Sequence, residues 1–196
     1  MELLLIRHGL PERIERDDGL PADPPLAPRG REQAERLARW LEPDQIDAVY
    51  TSPMRRARET ATPLAQAKGL ELVLEPGVAE LDQSSPVYLP LDELKRTDPA
   101  RWRALVQGGL YEGIDLTTFQ QTVTSALERI IAAHPRQRVA VVCHGGVING
   151  WARHVLGVSS PLFLFFDPTY TSINRFLAAK SGERSLVSLN EAAHLR

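Results

Sequence analysis

Two histidines in this sequence stand where an imidazole could react. Arg7-His8-Gly9 follows the short apolar run Glu2-Leu3-Leu4-Leu5-Ile6, and His144-Gly145-Gly146 follows Arg138-Val139-Ala140-Val141-Val142-Cys143. Near neutral pH a histidine serves as nucleophile or proton carrier, and a neighbouring arginine is a fixed cation. Gly9 lets the backbone approach a ligand closely or turn with positive φ. Between the two histidines, Ser52-Pro53-Met54-Arg55-Arg56 opens a helix. It brings Arg55 or Arg56, together with unpaired backbone N–H groups, to the same kind of edge. Val78-Ala79-Glu80-Leu81-Asp82 adds two carboxylates, either of which can carry a proton. Imidazoles, cations and helix amides together suit an anionic ligand whose reaction needs a nucleophile and an acid.

These residues need elements that deliver them to one place. Glu2 to Ile6 reads as a buried strand, and in open α/β sheets ligands bind at the C-terminal strand ends. Residues 11–25 carry Pro11, Gly19, Pro21, Pro24 and Pro25 and form a long loop, on which Arg13 and Arg16 could reach an anion. Ala34, Leu37, Ala38 and Leu41 recur at helical spacing over Arg29 to Leu41, before Pro43. Ile46 to Tyr50 is a second strand, after which Ser52 is the expected N-cap and Pro53 the first helical residue. Leu70 to Leu74 is a third strand, closed by Glu75-Pro76-Gly77. The stretch from Ser84 to Leu116 holds short helices at Leu91 to Lys95 and around Ala100 to Val106. Its Tyr88, Leu89, Trp102 and Tyr111 either line a pocket or pack onto the core. Phe119, Val123, Leu127, Ile130 and Ile131 share one face of a helix over Leu116 to Ala133. Arg138 to Cys143 is nearly all β-branched and reads as a central strand. Pro161 to Phe166 is an apolar, buried run, and Thr171 to Ala178 with Ser185 to Leu189 form a hairpin through Lys180 to Glu183. The expectation is a three-layer α/β sandwich with a mostly parallel sheet and at least one antiparallel strand. It forms one domain over 1–196 with a lid-like insertion at about 76–116.

Bulk properties narrow the partners. At 196 residues with 43% hydrophobic composition the chain can bury a core without staples. A net charge of -2 argues against nucleic acid or an anionic membrane as partner, so any basic site is local. The one cysteine, Cys143, excludes an internal disulfide and a cysteine-based zinc cluster. Arg7 interrupts the first apolar run too early for a signal peptide, and no stretch has membrane-spanning length, so a cytoplasmic location is expected.

The ordered set of Arg7-His8-Gly9, Ser52-x-x-x-Arg56-Ala57-x-x-Thr60-Ala61, Glu80 and His144-Gly145-Gly146 resembles the histidine phosphatase superfamily, with its phosphoglycerate mutase-like fold. Pro25-Leu26 through Gly30 and Gln33-Ala34 also match that family's first helix. The resemblance implies that His8 attacks phosphorus and becomes phosphohistidine. Arg7 and Arg56 hold the phosphoryl oxygens, His144 donates to them, Glu80 is the general acid, and the Gly145 and Gly146 amides close the cradle beside Gly9. It implies no metal and no cofactor, and a small phosphorylated substrate. A phosphoglycerate mutase-type phosphotransferase and a non-catalytic phospho-ligand binding module are the alternatives, and a homodimer is left open.

Two departures stand out. Family members commonly carry Glu-Thr-x-x-Asn after Arg-His-Gly, where this chain has Leu10-Pro11-Glu12-Arg13-Ile14, so Arg13 is a candidate phosphate ligand in place of the Asn. The family's Gly-x-x-Glu-Gly after Glu80 is also missing, and Asp82 competes with Glu80 for the acid's role. Cys143 is no phosphatase nucleophile, because a Cys-x5-Arg loop would place Arg where Asn149 stands. His134, His154 and His194 lie outside any motif and are read as structural or exposed.

Overall fold

A computed structural model describes residues 1–100, 102–103, 113–160 and 162–196. The elements in chain order are β1 (Glu2–Arg7), β2 (Ile14–Glu15), α1 (Pro28–Trp40), β3 (Ala48–Thr51), α2 (Arg55–Lys68), β4 (Leu72–Leu74), β5 (Val87–Tyr88) and α3 (Leu91–Thr97). There follow α4 (Leu116–Ala133), β6 (Arg138–Cys143), α5 (Gly145–Leu156), β7 (Ile173–Ala178) and β8 (Arg184–Glu191). A six-stranded sheet has the order β4-β3-β6-β1-β7-β8. β4, β3, β6 and β1 are parallel neighbours, and β7 runs antiparallel to both β1 and β8. This is the expected mostly parallel sheet with an antiparallel strand.

Strand alternation splits the core in two. Leu3, Leu5, Val139, Val141 and Cys143 point to one face and pack with Val123, Leu127 and Ile130 of α4 and Val147, Ile148 and Trp151 of α5. Leu4, Ile6, Ala140 and Val142 point to the other and pack with Leu37 and Leu41 on and after α1 and with Ala57, Ala61 and Leu64 of α2. Both sheet faces are covered, which is why β1 and β6 are apolar at nearly every position instead of alternating. Fully burying one such Leu, Ile or Val stabilises the fold by roughly 1.5–3 kcal/mol.

Several elements differ from expectation in ways that bear on the site. α2 begins at Arg55 with Met54 as its N-cap, and no side chain caps it. Ser52 is therefore not the cap residue, although its hydroxyl oxygen accepts the Met54 N–H at 3.3 Å. Residues 11–25 are not wholly irregular: Ile14–Glu15 pairs antiparallel with Val87–Tyr88, clasping the first long loop to the insertion. A ladder this short has no periodicity to betray it in sequence. In the run read as buried, Phe163 is covered but Leu162 is exposed. The expected helix around Ala100 to Val106 falls largely outside the described residues, as does Tyr111. Among the described residues, no helix is long and apolar enough to cross a membrane.

Candidate active site

Strand pairing sets the site's geometry. Arg7 lies opposite Cys143 in the β1–β6 ladder and Thr51 opposite Val142 in the β3–β6 ladder. The residues that follow, His8, His144 and Ser52, therefore leave three adjacent parallel strands at one edge. The rings of His8 and His144 lie 5.1 Å apart between centroids, tilted by 58°. Both histidines are buried, as are Arg7 and Arg56.

His8 is oriented by its own loop. Its Nδ1 lies 2.8 Å from the Gly9 carbonyl oxygen, and a carbonyl only accepts, so Nδ1 carries the proton and Nε2 holds the lone pair. Burial, with Arg56 and then Arg7 nearby, holds the imidazole well below its usual pKa, so it is neutral at pH 7. The Gly9 N–H donates to Thr60 Oγ1 at 2.9 Å, and Thr60 Oγ1 donates to the Arg56 carbonyl at 2.7 Å. Thus the Thr of the Ala-x-x-Thr-Ala run pins the His8 loop to α2. Gly9 is required by close approach: a Cβ there would lie 2.6 Å from the Gly30 carbonyl oxygen, and its φ is not positive. With its amide committed to Thr60, Gly9 serves the scaffold.

The arginines are held from outside and present free donors within. Arg56 Nη2 donates to Asp82 Oδ1 at 2.7 Å, and its guanidinium stacks 4.5 Å from the Tyr88 ring centre. Arg7 Nη1 donates to the Pro168 carbonyl and lies 3.5 Å from Asp167, with Tyr170 stacked 4.0 Å away. Arg7 Nε, Arg56 Nε, Arg56 Nη1 and His144 Nδ1 are buried and make no hydrogen bond among the described residues. Buried charged donors without partners are costly, and they cluster where an anion is bound. Asp167 and Tyr170 carry no local motif. Their place comes from the segment before β7, where Thr171 N–H donates to the Arg7 carbonyl at 3.0 Å and Thr171 adopts φ 60.

Glu80 is clamped at the N-terminus of α5. Its Oε2 accepts from Gly146 N–H at 2.8 Å and its Oε1 from Leu81 N–H at 2.9 Å. A Cβ on Gly146 would lie 2.1 Å from Glu80 Oε1, so this position excludes every other residue while the carboxylate stays where it is. Burial and then the charge of Asp82 raise the Glu80 pKa from 4.5 to about 7. The neighbouring carboxylates are thereby sorted: Asp82 is the partner of Arg56, and Glu80 titrates near neutrality.

Some expected ligands are placed elsewhere. The Gly146 amide, expected in the phosphate cradle, is given to Glu80. Arg13, the candidate replacement for the missing Asn, donates Nε to Glu15 Oε1 at 3.0 Å and is exposed. It makes no bond to Arg7, His8, Arg56 or His144 among the described residues. Gly145 opens α5 at the lip, 3.9 Å from the Pro168 ring measured from where its Cβ would stand. Arg55 faces outward and pairs with Glu59 at 2.7 Å, which leaves Arg56 as the site arginine. Cys143 is fully buried below His144, and burial pushes its thiol pKa up, so it stays protonated and inert. His134 and His194 are structural, bonded to Tyr50 and Thr171, while His154 lies near Glu128.

Fold and site together define a three-layer α/β protein with two buried histidines and unpartnered arginine donors gathered at the C-terminal ends of its parallel strands. The family model of the histidine phosphatase superfamily (branch 1) matches residues 3–192. The chain belongs to this superfamily of phosphatases and phosphoglycerate mutase-like enzymes. It is 29% identical to phosphoserine phosphatase 1 of Hydrogenobacter thermophilus over 201 residues, covering all of this chain and 94% of that one. It is 33% identical over 187 residues to phosphoglycerate mutase-like protein 4 of Arabidopsis thaliana, covering 85% of this chain and 80% of that one. Its fold matches the crystal structure of a mutant phosphoserine phosphatase from Entamoeba histolytica in complex with phosphoserine. The TM-score is 0.76 at 23% identity, with 100% and 99% of the two chains covered.

Proposed function

We propose that this enzyme is a metal-independent phosphomonoester hydrolase working through a phosphohistidine on His8. The observation that carries this reading is the 2.8 Å contact of His8 Nδ1 with the Gly9 carbonyl. It leaves Nε2 as a neutral, oriented nucleophile among unpartnered cationic donors. Nε2 attacks phosphorus, a new N–P bond forms, and the ester P–O bond breaks. Arg7, Arg56 and His144 stabilise charge spread over the equatorial oxygens, the main need in phosphoryl transfer. The leaving oxygen takes the proton of Glu80. The Glu80 carboxylate then accepts a proton from water as the water attacks phosphorus and the N–P bond breaks, releasing inorganic phosphate. A carboxyl with a pKa of about 7 suits both directions of this shuttle at neutral pH.

The substrate class is a small phosphorylated molecule, in line with the phosphoserine phosphatases among the relatives. The lid expected of the insertion is supported by its described part: Tyr88, on the strand clasped to β2, lies over Arg56. A mutase ranks second, because it must shield phosphohistidine from water and the sequence carries no recognisable match to the longer insertion typical of those enzymes.

The test is phosphate release over a panel of phosphorylated metabolites in EDTA, with His8→Ala as control. Turnover that requires His8 and survives the chelator is expected. Full turnover by His8→Ala would overturn the mechanism. Isomerisation of 3-phosphoglycerate faster than phosphate release would establish the mutase instead, and phosphate binding without turnover the binding module.

A further inference from the structure

We propose that Ser52 is a positioning residue for the reaction above, setting which nitrogen of His144 carries the proton so that Nδ1–H faces the phosphoryl oxygens. The inference rests on the phosphohistidine reading for its catalytic meaning and on geometry for its structural content. Ser52 leaves β3 directly after Thr51, and its N–H donates to the Val142 carbonyl at 3.0 Å. Its backbone is thereby tied to the strand that delivers His144. The Ser52 hydroxyl oxygen lies 2.8 Å from His144 Nε2, with both residues fully buried.

The hydroxyl can take part in that contact as donor or acceptor, and its other partner decides between them. Ser52 Oγ already accepts the Met54 N–H at 3.3 Å. Its own proton has one acceptor among the described residues, namely His144 Nε2. If the ring donated instead, a buried O–H would be left without an acceptor, at the full cost of desolvation. The hydroxyl therefore donates, Nε2 holds the lone pair, and Nδ1 carries the hydrogen. Nδ1 is buried and meets no protein acceptor among the described residues, as is true of Arg7 Nε and of Arg56 Nε and Nη1. The opposite tautomer would turn a lone pair towards an anion that three cationic nitrogens attract. The serine that sequence reasoning assigned to a helix cap thus selects the useful form of a catalytic ring, the second-layer role by which a partner on one histidine nitrogen sets the state of the other.

Long-range proton–nitrogen NMR on histidine-labelled, ligand-free protein reads the tautomer directly, with the His144 signals assigned by their loss in His144→Gln. The expected result is Nδ1–H in the wild type, loss of that preference in Ser52→Ala, and its return in Ser52→Thr. Turnover of p-nitrophenyl phosphate should follow, falling about tenfold in kcat for Ser52→Ala, the worth of one lost hydrogen bond, and recovering in Ser52→Thr. Nε2–H in the wild type, or an unchanged tautomer in Ser52→Ala, would overturn the assignment. If Ser52→Ala does not fold, the wild-type spectrum alone decides. Turnover retained by His8→Ala beside an Nδ1–H ring on His144 would remove the phosphohistidine reading while leaving the tautomer assignment standing.

Discussion

Replacing Glu80 by glutamine separates the two halves of the proposed reaction. The amide keeps an acceptor for the Gly146 or Leu81 N–H but can neither give nor take the proton. With a pKa of about 7, the wild-type carboxyl is roughly half protonated at neutral pH and supplies acid for the first step without leaving the base form scarce for the second. General acid catalysis contributes ~10²–10⁴-fold, or roughly 3–5 kcal/mol of barrier. That full loss is expected for an alkyl phosphate, whose alkoxide leaves poorly without a proton. A nitrophenolate needs no proton to leave, so its transfer to His8 should slow by less than about tenfold. Water attack on phosphohistidine then loses its base with either substrate. Stopped-flow measurement with p-nitrophenyl phosphate should show a burst of nitrophenolate equal to the enzyme present, followed by slow turnover, and acid-labile phosphoenzyme should accumulate. Single-turnover phosphorylation measured separately with an alkyl phosphate should lack the burst. Equal slowing of the phosphorylation step for both leaving groups would refute the assignment of Glu80 as the acid. Turnover at the wild-type rate would refute any proton role.

Further expectations follow from the same geometry. Glu80 has a folded pKa raised from 4.5, so its contribution to stability is full below 4.5 and is lost as pH rises through about 7. Glu80→Gln should therefore gain stability relative to wild type above neutral pH, by on the order of 1–2 kcal/mol after screening, which thermal melts at pH 5 and pH 9 would read. Because burial lowers the His8 pKa, the acid limb of kcat/KM should not fall at the ordinary histidine value near 6.5, whereas the alkyl phosphate rate should decline as pH rises through about 7. A pH–rate profile checks both limbs. Gly146→Ala should cost ~10²-fold in kcat by displacing the carboxylate. Gly30→Ala, whose Cβ would lie 2.0 Å from the Leu10 carbonyl oxygen, should instead lower stability by about 3 kcal/mol or more in urea unfolding. Arg13→Ala should leave KM and kcat unchanged, since Arg13 is paired with Glu15. A raised KM would restore it as a phosphate ligand.

Much of the fold was legible because apolar runs and helical spacing report burial one residue at a time. β6 and α4 match their expected bounds, Arg138–Cys143 and Leu116–Ala133, since a strand covered on both faces and a helix with one apolar stripe leave unambiguous patterns. The same local logic placed Arg7, His8, Arg56 and His144 at strand and helix ends. Gly9 was legible as a point of close backbone approach, but not for what it approaches. Gly9 and Gly30 let two backbones touch, and Gly146 makes room for Glu80, contacts between segments far apart in the chain.

What tertiary structure alone decided is the pairing of polar atoms across strands. Ser52 looks like a helix cap in sequence because Pro53 follows it, yet the β3–β6 register sets its hydroxyl against His144. Glu80 and Asp82 are equivalent in sequence, two carboxylates in one loop. They divide into an amide-held carboxyl and an arginine partner only because α5 presents an N–H to one and α2 a guanidinium to the other. Residue types determine which chemistry is available to this chain. Hydrogen bonds are short and directional, so which atom performs it depends on distances that strand order and helix placement create.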